Sequence, residues 1–369
     1  MRLPALRRRL VTWYRSHRRD MPWRRTRDPY RIWLAEVMLQ QTRVAAVVPY
    51  YERFVRRFPT VQKLARARTE EVLRLWAGLG YYSRARNLHR AAKEMVARHR
   101  GQFPRQYEDA LALPGIGRYT AAAVLSMAYG APLAVLDGNV ARVLARLGAI
   151  RGDLRAPRRW KQLEDEAQRL LPPKAGTPGD WNQAMMELGA TVCTPRLPQC
   201  RECPVAKWCR ARQLGIAEQV PSVRKKRAPV KVQIAAAVLL DPRNRTLLVR
   251  RNGGLFSGMW QFPAVEVQRN ARTELQTHLQ GLLQKKKSIS QRARKTQSTQ
   301  SRDGMEALPR LSHAVTFREL TLWPYLIRVP RLPDMRGARA IGQEQIAQVP
   351  ISSATRKVAE AAGLLRAGR

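Results

Sequence analysis

Two carboxylates and four thiols stand out in this 369-residue chain as groups whose surroundings suit them to chemistry. Asp137 lies in Leu136-Asp137-Gly138-Asn139-Val140, an apolar-flanked tight turn about twenty residues after the glycine-rich turn Pro114-Gly115-Ile116-Gly117. Glycines let a backbone approach a ligand closely, and the free N–H groups and positive dipole end of the helix that follows suit a phosphate. Gly115 and Gly117 are therefore candidate phosphate contacts, and Asp137 stands where it could meet developing positive charge. Glu36, between Ala35 and Val37 in an otherwise apolar helix, is predicted to be buried, with a raised pKa that keeps a proton available. Cys193, Cys200, Cys203 and Cys209 form C-x6-C-x2-C-x5-C, too few and too clustered for a disulfide framework. Four such thiolates could hold zinc or a 4Fe-4S cluster, and ligand type alone does not separate the two.

The elements that must position these groups follow from periodicity. Apolar residues recur at helical spacing in Tyr30 to Phe58, Glu70 to Leu75, Asn87 to His99, Tyr119 to Tyr129 and Val140 to Leu147, which predicts a helical domain over 1–215. Residues 216–231 are polar and basic with two prolines, the composition of a linker. Val232 to Leu240 and Thr246 to Arg251 are aliphatic runs bridged by Asp241-Pro242-Arg243-Asn244-Arg245, a hairpin signature that opens a second, mixed α/β or β-rich domain over 232–369. The stretch 284–304 is dense in Lys, Arg, Ser and Gln, and is expected to be a disordered insert. An apolar pattern resumes from Leu311 to Val329, and no internal repeat is present.

Lys and Arg number 69 against 27 Asp and Glu, a formal net charge of +42, which points to a polyanionic partner and says nothing about chemistry. No apolar run approaches the ~20 residues that span a bilayer. The Arg-studded amino terminus lacks the uninterrupted apolar region of a secretory signal. The expectation is a soluble, cytoplasmic, nucleoid-associated monomer with no membrane partner.

Taken together, the glycine turn with its Asp, the cysteine spacing and the helical first 215 residues resemble the helix-hairpin-helix DNA glycosylase superfamily, whose endonuclease III-type members carry such a cysteine loop. Within it, Trp33 to Thr42, Gly78-Leu79-Gly80-Tyr81-Tyr82-Ser83-Arg84-Ala85-Arg86-Asn87-Leu88 and Leu136 to Val140 resemble the MutY-type adenine DNA glycosylases. The resemblance implies a multidomain protein: an all-α glycosylase domain with an iron-sulfur loop at 193–209, then an α+β Nudix-like lesion-recognition domain. It assigns the four cysteines to a structural 4Fe-4S cluster, beside which Arg201, Lys207 and Arg210 could meet phosphate. The partner it implies is duplex DNA holding adenine opposite 8-oxoguanine or guanine, with the adenine flipped out of the stack.

Breaking an N-glycosidic bond needs an acid for the leaving base and stabilisation of an oxocarbenium-like sugar. By the resemblance Glu36 protonates adenine at N7 and Asp137, kept ionised with help from a helix N-terminus, stabilises or traps the cation. Asn139 and Tyr119 would orient Asp137 and the attacking water. Superfamily members with lyase activity carry Lys where this chain has Tyr119, and a phenol cannot form an imine, so monofunctional hydrolysis is implied. Gln41, Thr42, Leu79 and Tyr81 resemble the residues that probe the stack and the lesion, and Trp23, Arg24 and Gln183 resemble the adenine pocket.

Gly254 to Pro263 is the best match to the Nudix-like domain, yet no REXXEE box for magnesium occurs between 263 and 320, so the domain should bind and not hydrolyse. The family's Phe-Ser-His lesion-reading triplet is atypical here. One register gives Val315-Thr316-Phe317, retaining a hydroxyl on Thr316; the other gives Leu311-Ser312-His313, restoring Ser312 and His313 with Leu before them. Two other readings compete: a pyrimidine-removing glycosylase with lyase activity, against which Tyr119 argues, and a non-catalytic iron-sulfur DNA-binding protein.

Overall fold

The computed structural model describes residues 3–172, 178–222, 228–251, 253, 256–284, 304–335 and 337–366. Contacts divide the chain into two units: Met1–Ala67 with Asn87–Lys225, and Arg68–Arg86 with Lys226–Arg369. Most of the insert at 284–304, part of the linker at 216–231, and Gly254 and Leu255 lie outside the described residues.

The first unit is helical. It comprises α1 (Leu3–His17), α2 (Pro29–Leu39), α3 (Val44–Arg57) and α4 (Val61–Arg66); α5 (Thr69–Trp76) falls in the second unit, and α6 (Ser83–Arg98) runs across the boundary. Then come α7 (Tyr107–Ala112), α8 (Arg118–Tyr129), α9 (Gly138–Leu147), α10 (Pro157–Leu170), α11 (Pro178–Thr191) and the short α12 (Arg210–Gln213). Helix α2 starts where Asp28 accepts a hydrogen bond from the Tyr30 N–H and Pro29 sits at the first helical position, where its missing N–H costs nothing. Its residues from Ile32 to Met38 are all buried, so this helix is core on every side. A second core gathers Leu6, Leu10 and Tyr14 of α1, Val140, Val143 and Leu144 of α9, and Trp181, Met185 and Leu188 of α11.

Glycine sets two close approaches here. Gly115 has φ +79°, and a Cβ on it would stand 2.6 Å from the Cβ of Asn87. Gly189 brings α11 onto α9, where a Cβ would stand 2.9 Å from that of Asn139.

The second unit is built on a mixed sheet. Its strands are β1 (Val230–Leu240), β2 (Arg245–Arg250), β3 (Trp260–Gln261), β4 (Ala264–Glu266), β5 (Met305–Ala307), β6 (Leu311–Val315), β7 (Arg318–Arg328) and β8 (Ala338–Gly342), with α13 (Ala271–Gln284) after β4 and α14 (Ser353–Ala361) last. The main order is β3-β2-β1-β7-β5, with β4 beside β1, β6 beside β7 and β8 beside β2. The long β1 and β7 run parallel from Val230↔Arg318 to Leu240↔Arg328. The hairpin read from Asp241 to Arg245 is present: Asp241 Oδ1 accepts from the N–H groups of Arg243 and Arg245, and Asn244 takes φ +53°. Residues 68–86 join this unit through local contacts that a continuous helical range 1–215 does not anticipate. The Trp260 indole donates to Glu70 Oε1 at 2.9 Å, and the rings of Tyr82 and Phe256 meet edge-on with centroids 6.4 Å apart.

Among the described residues no helix is long and apolar enough to cross a membrane.

Candidate active site

The first unit holds a cavity of about 720 Å³ lined by both carboxylates singled out in the sequence. Glu36 projects from the buried stretch Ile32 to Met38 of α2 and is itself 6% exposed. Burial pushes its carboxyl up to about 7; the Tyr119 hydrogen bond opposes that rise, nearby Asp137 adds to it and Arg24 reduces it. The Tyr119 hydroxyl, from the first turn of α8, donates to Glu36 Oε2 at 2.7 Å. Tyr119 is held far above the ordinary phenol range, first by burial and then by the two carboxylates, so it stays a neutral donor.

Asp137 is the N-cap of α9, its Oδ1 accepting from the Val140 N–H at 2.7 Å. Asn139 Nδ2 lies 3.4 Å from Asp137 Oδ2. The sequence led us to expect the helix end to keep this carboxyl ionised. The Val140 and Asn139 N–H groups do pull its pKa down, but burial outweighs them and the net direction is upward. Arg142 orders the same corner. It donates to Asn139 Oδ1 at 2.9 Å, to the Gly189 carbonyl at 2.7 Å and to the Cys193 carbonyl at 2.9 Å, tying the Asp137 turn to the start of the cysteine loop.

Trp23, Arg24, Gln41, Thr42, Gln183 and Asn139 also line the cavity, so the structure brings together the four catalytic candidates and five of the ten base and lesion candidates. Glu187 was missed. It is 1% exposed and takes three charged hydrogen bonds, from Arg19 Nε and Nη2 and from Arg24 Nη2, at 2.8 to 2.9 Å. Burial opposes these contacts, yet the two guanidinium groups win and hold its carboxyl at about 2. The signal was available: Glu187 interrupts the apolar run Ala184-Met185-Met186 as Glu36 interrupts its own helix.

Gly115 and Gly117 flank the turn into α8 and differ in what surrounds them. The side of Gly115 is filled by Asn87, so its glycine is required by packing. Gly117 is the N-cap, in an extended conformation with nothing within 4 Å of where a Cβ would be, so only there is the backbone open to a ligand.

Leu79, Tyr81, Ser312, His313 and Thr316 belong to the second unit. Leu79 is buried and its carbonyl accepts from Arg84 Nη2 at 3.2 Å; Tyr81 has φ +47° and carries the Arg84 guanidinium 5.3 Å from its ring centre. Of the two lesion-loop registers, Leu311-Ser312-His313 lies within β6, paired with Leu322, Thr321 and Leu320. Exposed Ser312 and half-buried His313 therefore face opposite sides of the strand. Thr316 and the exposed Phe317 form the tip of the β6–β7 hairpin, with Thr316 at φ +53°.

The four cysteines line one small cavity, into which Arg146 also reaches. Arg146 Nη1 donates to Cys193 Sγ at 3.3 Å and to the Thr194 carbonyl at 2.7 Å. Among the described residues no three Cys, His, Asp or Glu side chains stand close enough to hold a single metal ion. Burial pushes the Cys203 thiol up to about 12.

Residues 34–173 match the HhH-GPD superfamily of base excision DNA repair proteins. The chain is 36% identical to the adenine DNA glycosylase of Homo sapiens, over 96% of its own length and 73% of that protein's. It is 34% identical to that of Rattus norvegicus, over 96% and 77%. Among solved structures, a thermostable thymine-DNA glycosylase superposes with a TM-score of 0.52 at 30% identity, covering 57% of this chain and 97% of that one. A buried Glu36 and a half-buried Asp137 in one cavity of a helical unit, in a chain this similar to those relatives along nearly its whole length, belong to a member of the adenine DNA glycosylase family.

Proposed function

We propose that the chain removes adenine lying opposite 8-oxoguanine or guanine in duplex DNA, hydrolysing the N-glycosidic bond without cutting the strand. The observation that carries this reading is the buried carboxyl of Glu36, whose pKa near 7 and Tyr119 partner suit a group that must hold a proton until a base takes it. Glu36 gives its proton to N7 of the flipped adenine, the C1′–N9 bond breaks with its electron pair leaving on the base, and Asp137 faces the positive charge left on the sugar. Water, oriented by Asn139 and Tyr119, then attacks C1′ and passes its proton to the Glu36 carboxylate, which restores the acid. Trp23, Arg24 and Gln183 hold the base. Tyr119 cannot form an imine, so no covalent amine adduct arises.

Four thiols round one cavity, with Arg146 donating to one sulfur, suit a 4Fe-4S cluster held by Cys193, Cys200, Cys203 and Cys209. Those four thiolates would supply the sulfur ligands that such a cluster needs. Such a cluster would supply a rigid anchor for the loop. The open backbone of Gly117 and the net charge of +42 support a duplex gripped by its phosphates, by a monomer. A Nudix-like reading of the second unit is supported by its mixed sheet with α13 and α14. Without an REXXEE box it would bind the lesion strand, with Leu79, Tyr81 and the hairpin bearing Ser312, His313 and Thr316 as its candidate contacts, while Gln41 and Thr42 of the first unit would probe the stack.

Single-turnover release of free adenine from duplexes carrying adenine opposite 8-oxoguanine or guanine tests the reading. Release is expected from both, faster opposite 8-oxoguanine, abolished by Asp137→Asn, with no adduct trapped by borohydride. Full activity of Asp137→Asn, or a trapped adduct, would refute the mechanism.

A further inference from the structure

Behind the wall of the cavity stands a side chain that touches two of the proposed base contacts at once. Tyr14 of α1 is fully buried and is not among the residues lining the cavity. Its hydroxyl donates to Gln183 Oε1 at 2.9 Å. Its ring lies under the Arg24 guanidinium, 5.5 Å from the centroid, with Arg18 at 5.9 Å. Arg24 in turn is anchored by Glu187 Oε2 at 2.8 Å and by the Arg19 carbonyl at 3.1 Å.

We propose that Tyr14 is a positioning residue for base specificity: it orients the Gln183 amide so that the N–H₂ group faces the bound base, and it holds Arg24 flat beside it. The inference rests on the reading that Gln183 and Arg24 hold adenine. Positive charge from Arg24 and Arg18 surrounds the phenol, so its proton points away from them, toward Gln183. The amide oxygen is thereby committed as an acceptor on the protein side, and two N–H donors remain for the cavity. N3 and N7 are acceptors in both purines, but at ring position 1 adenine offers an acceptor and guanine an N–H donor, so the discrimination lies where the amide meets that position. A fixed amide therefore favours adenine, because a donor facing a donor leaves buried groups unpaired. Left free, the amide could turn over and accept the wrong base.

The test is a double-mutant cycle in the full-length protein, read by single-turnover kinetics with adenine or guanine placed opposite 8-oxoguanine. Tyr14→Phe keeps the ring under Arg24 and removes the hydroxyl alone. It is expected to lower the single-turnover rate constant for adenine about tenfold and to narrow the preference for adenine over guanine by a similar factor. In a Gln183→Leu background, itself slower, Tyr14→Phe is expected to change the rate less than about twofold, because the amide it orients is gone. Gln183→Glu still accepts the phenol proton but has no N–H donor, and should be as slow as Gln183→Leu. An equal effect of Tyr14→Phe in both backgrounds, an unchanged base preference, or full activity of Gln183→Glu overturns the positioning role. Full activity of Gln183→Leu would instead sink the assignment of Gln183 to the base pocket, and the inference with it.

Discussion

Replacing Glu36 by Gln should abolish excision and, at alkaline pH, make the first unit more stable. The carboxyl ordinarily titrates at 4.5 and in the fold at about 7. Between those values the folded chain binds more protons than the unfolded chain, so stability present below about 4.5 is lost progressively as pH rises to about 7. The interval is about 2.5 pH units, and at about 1.4 kcal/mol each it amounts to about 3 kcal/mol at pH 8 but under about 1 kcal/mol at pH 5. Gln carries no charge, so it escapes this penalty, and the Tyr119 hydroxyl can still donate to its oxygen. The new amide N–H₂ has to find partners, which offsets about 1 kcal/mol. The net gain is about 2 kcal/mol at pH 8 and close to nothing at pH 5. For a unit of this size that is a rise of about 4 to 8 °C in its thermal midpoint at pH 8. Differential scanning calorimetry of parent and variant at the two pH values resolves it. A gain of equal size at both pH values, or a loss at pH 8, would refute the claim that a buried, proton-hungry carboxyl occupies this position.

The same group sets a pH profile. With protonated Glu36 as the proposed general acid, single-turnover rates are expected to fall as pH rises through about 7, and Tyr119→Phe, which deletes the bond favouring the carboxylate, should move that fall up by about one pH unit. A downward move contradicts the hydrogen bond's role. The two hairpin glycines should separate cleanly. Gly117→Ala should fold normally and bind duplex more weakly in a salt titration, whereas Gly115→Ala, forced against Asn87 at positive φ, should lower the thermal midpoint. Arg142→Met strands three acceptors, on Asn139, Gly189 and Cys193, and should cost about 3 kcal/mol of stability together with more than tenfold in excision rate. Normal excision in that variant would mean Asn139 needs no brace.

Much of the local structure is readable without coordinates. The Asp241 hairpin and the cysteine spacing each declare themselves within a few residues, because turns and ligand spacings are satisfied by near neighbours. Glu36 in an apolar helix already announces burial. The unit boundary is less legible: Glu70 to Leu75 have helical spacing like the segments around them, and contacts such as Glu70–Trp260 and Tyr82–Phe256 group 68–86 with the sheet-bearing unit.

By itself, then, the sequence determined which groups are candidates for the chemistry, which elements bear them, and the family whose pattern they follow. Tertiary structure alone decided what each group touches. The hydroxyl on Glu36 comes from 83 residues away, the amide on Tyr14 from 169, and the arginines on Glu187 from 168 and 163. The direction of the Asp137 pKa was decided there too, since the helix end that lowers it is visible in the sequence and the burial that outweighs it is not. Periodicity tells which face of a helix is apolar, but helix packing decides which face it meets, and those meetings set the burial and the hydrogen bonds on which proton affinity depends.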